Sequence, residues 1–244
     1  MDELVGIILA AGEGVRMKSR VPKVLHRLCG KELLKYPVEL FRNVGVHKIV
    51  VVVSRSNQNA VKGLLGDSVE YAVQSGKTGT AGAVESAASI LRGNSQNVLV
   101  IGGDSPLVSE DSLKNLIGAH VKDARQMSIL SGMIQGSCGL GRIRRDQKPQ
   151  QRVLGIVEAT DDSERSDELL EVNAGVYCFQ SDWLWNNLNQ VEPGNGSERY
   201  LTSLAAIAAE QGVGVAALTS SEPAEVLGVN NRVELANLED IKRQ

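Results

Sequence analysis

An apolar run, Leu4–Ala11, breaks into Gly12-Glu13-Gly14-Val15-Arg16-Met17 and then Pro22-Lys23. Glycines just past the carboxyl end of a strand let backbone amides close on an anion, and such concave turns hold phosphates. Arg16 and Lys23 set two cations beside this turn, one able to fork onto phosphate oxygens and the other a point charge. Two familiar phosphate loops do not fit. A Walker loop ending at Gly76-Lys77-Thr78 needs a glycine where Tyr71 stands, and the dinucleotide fingerprint needs a third glycine where Met17 stands. A tight turn with solvated basic side chains is the other reading of the same residues. Asp104 follows the apolar Val98–Gly102 one residue on, at the strand edge where open α/β sheets bind ligands, although it also suits a turn before Ser105-Pro106. Far down the chain, Asn230 or Asn231 can cap a terminal helix. Gln74 carries an amide whose donor and acceptor can both face the edge of a base.

These residues need a scaffold, and the first half supplies one. Leu4–Ala11, Lys48–Ser54, Val69–Val73 and Val98–Gly102 are apolar nearly throughout, as strands covered on both faces must be. Helical stretches are predicted between them at Lys35–Val44, Asn57–Leu65 and Thr80–Leu91, the last with Ala83, Val84, Ala87, Ala88 and Leu91 on one face. Strand and helix in turn imply a parallel sheet with right-handed crossovers, a doubly wound α/β core. After about residue 125 the pattern changes. Met127–Ile134, Gly141–Arg145, Val153–Glu158 and Glu171–Gln180 read as strands, Asp161–Leu169 as a surface loop or short helix, and Tyr200–Gln211 as a helix. Val213–Leu218 reads as a late strand and Val233–Ile241 as a terminal helix. The whole is expected to be one domain over 1–244, with a smaller mixed-sheet lobe returning to the core.

Composition narrows the function. The chain of 244 residues carries 26 Lys+Arg and 29 Asp+Glu, a net charge of −3. With 3% aromatic residues and this mild acidity it is a poor candidate for wrapping nucleic acid. No apolar run approaches the roughly 18–20 residues of a membrane span, and Met-Asp-Glu-Leu is not a signal-peptide start. Three scattered cysteines, Cys29, Cys138 and Cys178, fit a reducing cytoplasm better than a disulfide framework, and three histidines with no Cys-x-x-Cys argue against structural zinc. The expectation is a soluble cytoplasmic protein handling a small molecule, its oligomeric state left open.

A resemblance sharpens this. Leu9-Ala10-Ala11-Gly12-x-Gly14-x-Arg16-Met17 followed by Pro22-Lys23-Val24-Leu25-His26-x-Leu28-x-Gly30-Lys31 resembles the signature of sugar-1-phosphate nucleotidyltransferases, above all the uridyltransferase domain of bifunctional N-acetylglucosamine-1-phosphate uridyltransferases. Further blocks follow in order, to about residue 232: Gln74 with Gly79-Thr80, Gly103-Asp104-x-Pro106-Leu107, Gly139-x-Gly141-Arg142-Ile143, Ile156-Val157-Glu158, Glu171-Val172-Asn173-x-Gly175, Tyr200-Leu201-Thr202 and Gly228-Val229-Asn230-Asn231-Arg232. The resemblance implies a Rossmann-like nucleotidyltransferase fold, a nucleotide-binding half over about 1–125 and a sugar-binding half over about 126–230, with 231–244 as a C-terminal helix. No hexapeptide repeat follows, so no acetyltransferase β-helix is expected.

The implied reaction is attack of a sugar-1-phosphate oxygen on the α-phosphorus of UTP, releasing pyrophosphate. The Gly12–Gly14 amides with Arg16 would hold the triphosphate, Leu9, Ala10 and Ala11 would bind the nucleotide beside them, and Lys23 would stabilise charge at the phosphates, with Arg16, Lys23 and Asp104 the catalytic set. Gln74, Gly79, Thr80 and Gly103 would hold the nucleotide; Gly141, Glu158, Asn173 and Asn230 the sugar. Asp104 and Asn230 would ligate Mg2+, which takes hard oxygens and keeps several waters. The product expected is UDP-N-acetylglucosamine. The alternatives are another UDP- or dTDP-hexose pyrophosphorylase, or a non-catalytic nucleotide-sugar-binding regulator. Departures bear on base and sugar preference: Gly102 stands where tyrosine is usual, Lys77-Thr78 replaces Gln-Leu, Ala81-Gly82 replaces Gly-His, and Ser203 replaces aspartate. His26 is read as a packing or loop residue, the cysteines as ordinary thiols, Trp183 and Trp185 as cover for the core, and Arg142, Arg144 and Arg145 as a solvated strand face.

Overall fold

The computed structural model describes residues 4–76, 78–136, 139–147, 152–159, 168–194 and 198–243. Its elements in chain order are β1 (Leu4–Leu9), β2 (Arg27–Leu28), β3 (Lys31–Glu32), α1 (Lys35–Asn43), β4 (Lys48–Ser54), α2 (Gln58–Leu65), β5 (Glu70–Gln74), α3 (Gly79–Ser86), α4 (Ala88–Leu91), β6 (Asn97–Gly102) and α5 (Glu110–Lys122). The second half adds β7 (Met127–Gln135), β8 (Arg142–Arg145), β9 (Val153–Val157), β10 (Leu169–Gln180), α6 (Ser181–Asn187), α7 (Ser203–Glu210), β11 (Val215–Thr219) and α8 (Arg232–Arg243).

Nine strands form one sheet, with the main order β11-β7-β10-β6-β1-β4-β5 and β8 and β9 attached beside β10; β2 and β3 make a separate hairpin. The pairs β6–β1, β1–β4, β4–β5 and β11–β7 are parallel, and β10 is antiparallel to both its neighbours. This is the α/β class expected, a doubly wound, mostly parallel sheet with a smaller mixed-sheet lobe. Strand alternation sorts the core into two layers. Ile7, Val50, Val52, Val98 and Val100 face Val84, Leu91, Leu184 and Leu204, whereas Ile8, Val51, Val53, Leu99 and Ile101 face Val38, Phe41, Val61, Leu113 and Leu116. Both faces are thus covered by helices, which is why the strands read as continuous apolar runs.

Several elements differ from the expectation. Thr80–Leu91 is two helices rather than one, parted at Ala87. The Ser86 hydroxyl donates to the Gly82 carbonyl at 2.9 Å, a back-bond that bends helices at the turn where it competes. α5 and α6 have no counterpart among the helices expected, and β10 begins two residues before Glu171. The proposed surface segment Asp161–Leu169 lies mostly outside the described residues, as do Lys77 and Cys138.

Candidate active site

The carboxyl edge of the parallel strands carries the phosphate-loop candidates. Leu9 ends β1, and its carbonyl accepts the Gly103 amide at 2.9 Å, so the ends of β1 and β6 are tied together. The Ala10 amide donates to the Val52 carbonyl at 2.8 Å, and the buried Asn57 side chain donates to the Ala10 carbonyl at 2.7 Å. Asn57 also accepts the Ser54 amide through Oδ1 at 2.9 Å, which ties β4 to the loop; sequence reasoning had assigned it no role. Ala11 and Gly12 follow, and Gly14 takes φ +62°, a left-handed conformation that opens a 3-10 turn over Val15–Met17. Met17 is buried and pins that turn, leaving Arg16 exposed.

Two ion-to-dipole and ion-to-ion contacts gather the charged candidates. Lys23 Nζ donates to Asp104 Oδ2, and Arg16 Nη2 donates to Asn230 Oδ1 at 3.0 Å. The segments carrying Asp104 and Asn230 are joined by the Val229 amide, which donates to the Asp104 carbonyl at 3.0 Å. Asn231, not Asn230, caps α8: its Oδ1 accepts the amides of Val233 and Glu234, each at 2.9 Å. Of the two asparagines offered as the cap, Asn231 takes that role, and the Asn230 side chain stays with Arg16. Gly102 leaves space for the Asp104 carboxylate, whose Oδ1 lies 2.5 Å from where a Cβ on residue 102 would stand.

The donor chemistry of this corner suits Mg2+. A carboxylate and a carboxamide oxygen are hard donors of the kind Mg2+ takes, and each now holds a cationic side chain that phosphate could draw away. Among the described residues no group of three or more His, Cys, Asp or Glu converges. Two protein donors leave the remaining coordination to water and phosphate, the arrangement Mg2+ takes.

Gln74 ends β5, and its Nε2 donates to Thr78 Oγ1 at 3.0 Å and to the Gly79 carbonyl at 2.9 Å. Its donor half is committed to the loop, so only Oε1 remains to meet a base, not both amide groups as expected. Thr80 faces another segment: its Oγ1 accepts the Leu201 amide at 2.8 Å.

The sugar candidates cluster on the neighbouring lobe. The Asn173 amide donates to the Gly141 carbonyl at 2.8 Å. Glu158 follows β9, and its Oε2 is 3.6 Å from where a Cβ of Gly141 would lie. Asn173 Nδ2 donates to the Tyr177 hydroxyl at 2.7 Å, and its Oδ1 accepts the Gly175 amide at 3.0 Å across an irregularity in β10. Burial pushes the Tyr177 phenol up from its ordinary value, which keeps it a neutral partner for the amide. Tyr177 pairs with Val100 of β6, so running β10 back from that pair carries Asn173 toward the same sheet edge as Asp104. The two candidate half-sites thus adjoin through β6 and β10.

A profile described as Nucleotidyl transferase matches residues 5–222, most of the chain. The chain belongs to the nucleotidyl transferase family. Over the full chain this nucleotidyl transferase is 38% identical to the Bifunctional protein GlmU of Caldanaerobacter subterraneus subsp. tengcongensis and 37% identical to that of Bacillus licheniformis, covering 52% and 53% of those proteins. It therefore spans about half the length of the curated relatives it matches. A solved structure from Bacillus anthracis, described as a glucose-1-phosphate thymidylyltransferase in complex with sucrose, superposes with a TM-score of 0.81 at 18% identity, over 99% of this chain and 96% of that one. That likeness concerns the fold.

Other residues of the nucleotidyl transferase depart from their sequence reading. Arg145 is not a solvated strand residue: it is half-buried and forks onto Glu171 at 2.7 and 2.8 Å, and that guanidinium, with Ser131 and Thr219, holds the Glu171 carboxyl below its usual range against the opposing cost of burial. Trp185 is buried in the core and Trp183 packs against it, as expected. Arg199 escaped notice, and Thr202 was named without a partner, although the segment they bound joins the start of α3 to Glu158. The only sequence signal lay in the Tyr200-Leu201-Thr202 block, which names Thr202 without saying what it touches.

Proposed function

We propose that this nucleotidyl transferase condenses UTP with N-acetylglucosamine 1-phosphate, forming UDP-N-acetylglucosamine and pyrophosphate with Mg2+ as cofactor, in the cytoplasm. One observation supports the reading: Arg16 and Lys23 of the glycine loop, Asp104 beyond β6 and Asn230 before α8, drawn from three separate segments, converge at the mouth of the glycine turn. Two polyanions must come together for this reaction, so charge neutralisation and in-line positioning are the main task. The amides of the Gly12–Gly14 turn and the Arg16 guanidinium would take the triphosphate oxygens. Lys23 would leave Asp104 for the phosphates and stabilise charge as it builds at the α-phosphorus. Asp104 and Asn230 would hold Mg2+, which when bound supplies Lewis-acid neutralisation of the phosphate oxygens. Glu158 and Asn173 would accept and donate to sugar hydroxyls and the acetamido group beside Gly141, and Gln74 Oε1 would meet the base.

A regulator that only bound a nucleotide sugar would not need both cations set against two hard oxygen donors. Within the class, a different base or sugar is the competing reading, favoured by the committed Gln74 donors and by Gly102. One assay divides them: pyrophosphate release with Mg2+, four nucleoside triphosphates and a panel of sugar 1-phosphates. Turnover with UTP and the N-acetylglucosamine phosphate is expected to exceed every other pair. Preference for a different pair moves the assignment within the class, and no turnover with any pair refutes the enzyme reading.

A further inference from the structure

The segment Arg199–Thr202 is strapped across the two halves of the site. Arg199 is anchored behind it, its guanidinium donating to the Leu188 and Val191 carbonyls at 2.5 and 2.9 Å and to Glu85 at 2.7 Å. Its backbone pairs in both directions with the start of α3: the Arg199 amide donates to the Thr78 carbonyl at 3.2 Å, and the Arg199 carbonyl accepts the Ala81 amide at 2.9 Å. The approach is close enough that a Cβ on Gly79, which has φ +72°, would stand 2.4 Å from the Arg199 carbonyl oxygen. Leu201 is buried and its amide is held by Thr80. The strap is therefore fixed on the nucleotide half at four backbone or side-chain points before it reaches the sugar half.

Its last residue touches the sugar half. Thr202 is 7% exposed, and its hydroxyl donates to Glu158 Oε1. A glutamate side chain has several staggered orientations, and one donor fixed in space selects among them. With Oε1 engaged by Thr202, Oε2 is turned toward Gly141, where the missing Cβ leaves room. Taking Glu158 as the acceptor of a sugar hydroxyl, as proposed above, we infer that Thr202 is the positioning residue that orients Glu158 for the sugar phosphate. The strap sets that hydroxyl in place from the nucleotide side. Thr202 contributes no reacting atom; it acts through the carboxylate.

The test replaces the hydroxyl without changing shape. Thr202→Val is expected to raise KM for the sugar 1-phosphate about 10-fold, the usual scale for one lost hydrogen bond to a charged group. Because the carboxylate binds substrate and transition state alike, kcat should stay within about 3-fold, and KM for UTP should not move. Thr202→Ser, which keeps the donor, should restore the sugar KM to within about 3-fold of wild type. In a Glu158→Ala background the Thr202→Val effect should vanish, since the group it orients is gone. If Thr202→Val loses its melting transition, Thr202→Ala, which lacks the donor but fits any space, takes its place in the cycle. An unchanged sugar KM, an effect that persists without Glu158, or a loss shared by kcat and the UTP KM overturns the positioning role. Lack of wild-type turnover with every sugar phosphate overturns the function itself, and this role with it.

Discussion

Gly14→Ala should damage both the fold and the chemistry, and the geometry sets the size of each effect. Residue 14 sits at φ +62°, where an L side chain costs about 1–2 kcal/mol. Its new Cβ would also lie 2.6 Å from Lys23 Cβ and 3.5 Å from the Lys23 backbone, so the residue must shift by nearly 1 Å. Lys23 cannot yield cheaply, because its carbonyl accepts the His26 amide at 3.1 Å and the next residue, buried Val24, accepts the Leu34 amide at 3.0 Å. Strain and overpacking together come to about 2–3 kcal/mol. For a chain of this size each kcal/mol lowers Tm by about 2–4 °C, so the expected loss is roughly 5–10 °C. Moving a charged group by about 1 Å can cost on the order of 100-fold, so pyrophosphate release should fall at least 10-fold. Gly12→Ala is the internal control, since a Cβ there meets nothing within 4 Å and the backbone is not left-handed. Its Tm should stay within about 2 °C of wild type, whatever the added methyl does to phosphate binding. Thermal melts of both variants beside steady-state pyrophosphate release decide the matter. A Gly14→Ala protein that melts with wild type would show that the turn does not abut Lys23 as described.

Asp104→Asn and Lys23→Ala should each lower turnover at least ~100-fold, the scale of losing one preorganised electrostatic group, with the fold kept intact; near-normal turnover removes the residue from the mechanism. Low pH should expose a separate weakness at His120, which is 1% exposed, bonds Ser128 Oγ at 2.9 Å, and has its pKa lowered to about 4 by burial, with Arg125 adding repulsion. A depressed histidine binds its proton more readily when unfolded, so its stabilising contribution, at most about 3 kcal/mol, is present above pH 6.5 and is lost as pH falls toward 4. Thermal melts across that range should fall more steeply for wild type than for His120→Leu, and parallel curves refute the burial argument.

How much of this could be read beforehand depends on whether the cause was local. Lys48–Ser54 matches β4 residue for residue because five consecutive buried positions leave the pattern no other meaning. The helix α5 went unread because its apolar positions Leu113, Leu116 and Ile117 are sparse among polar residues. Its start was nonetheless marked, since Ser109 caps the Ser112 amide at 3.2 Å with Glu110 and Asp111 in the first turn. The glycine turn and its two cations were legible because chain order alone brings them together. The partners of those cations were not: the segments of Asp104 and Asn230 are joined through the Val229 amide, a tertiary contact between strand end and helix entry that no periodicity encodes. The resemblance named both residues, but only the fold shows that each of the two donor oxygens holds a cation. Glu158 follows the same rule from the other side. Its motif identified the residue, while its orientation is set by Thr202, forty-four positions further on, at the end of a strap whose close approach to Gly79 shows only in the fold. Groups that bind are written in short motifs, whereas the contacts that aim them belong to the packing of distant segments, and there a sequence read alone falls silent.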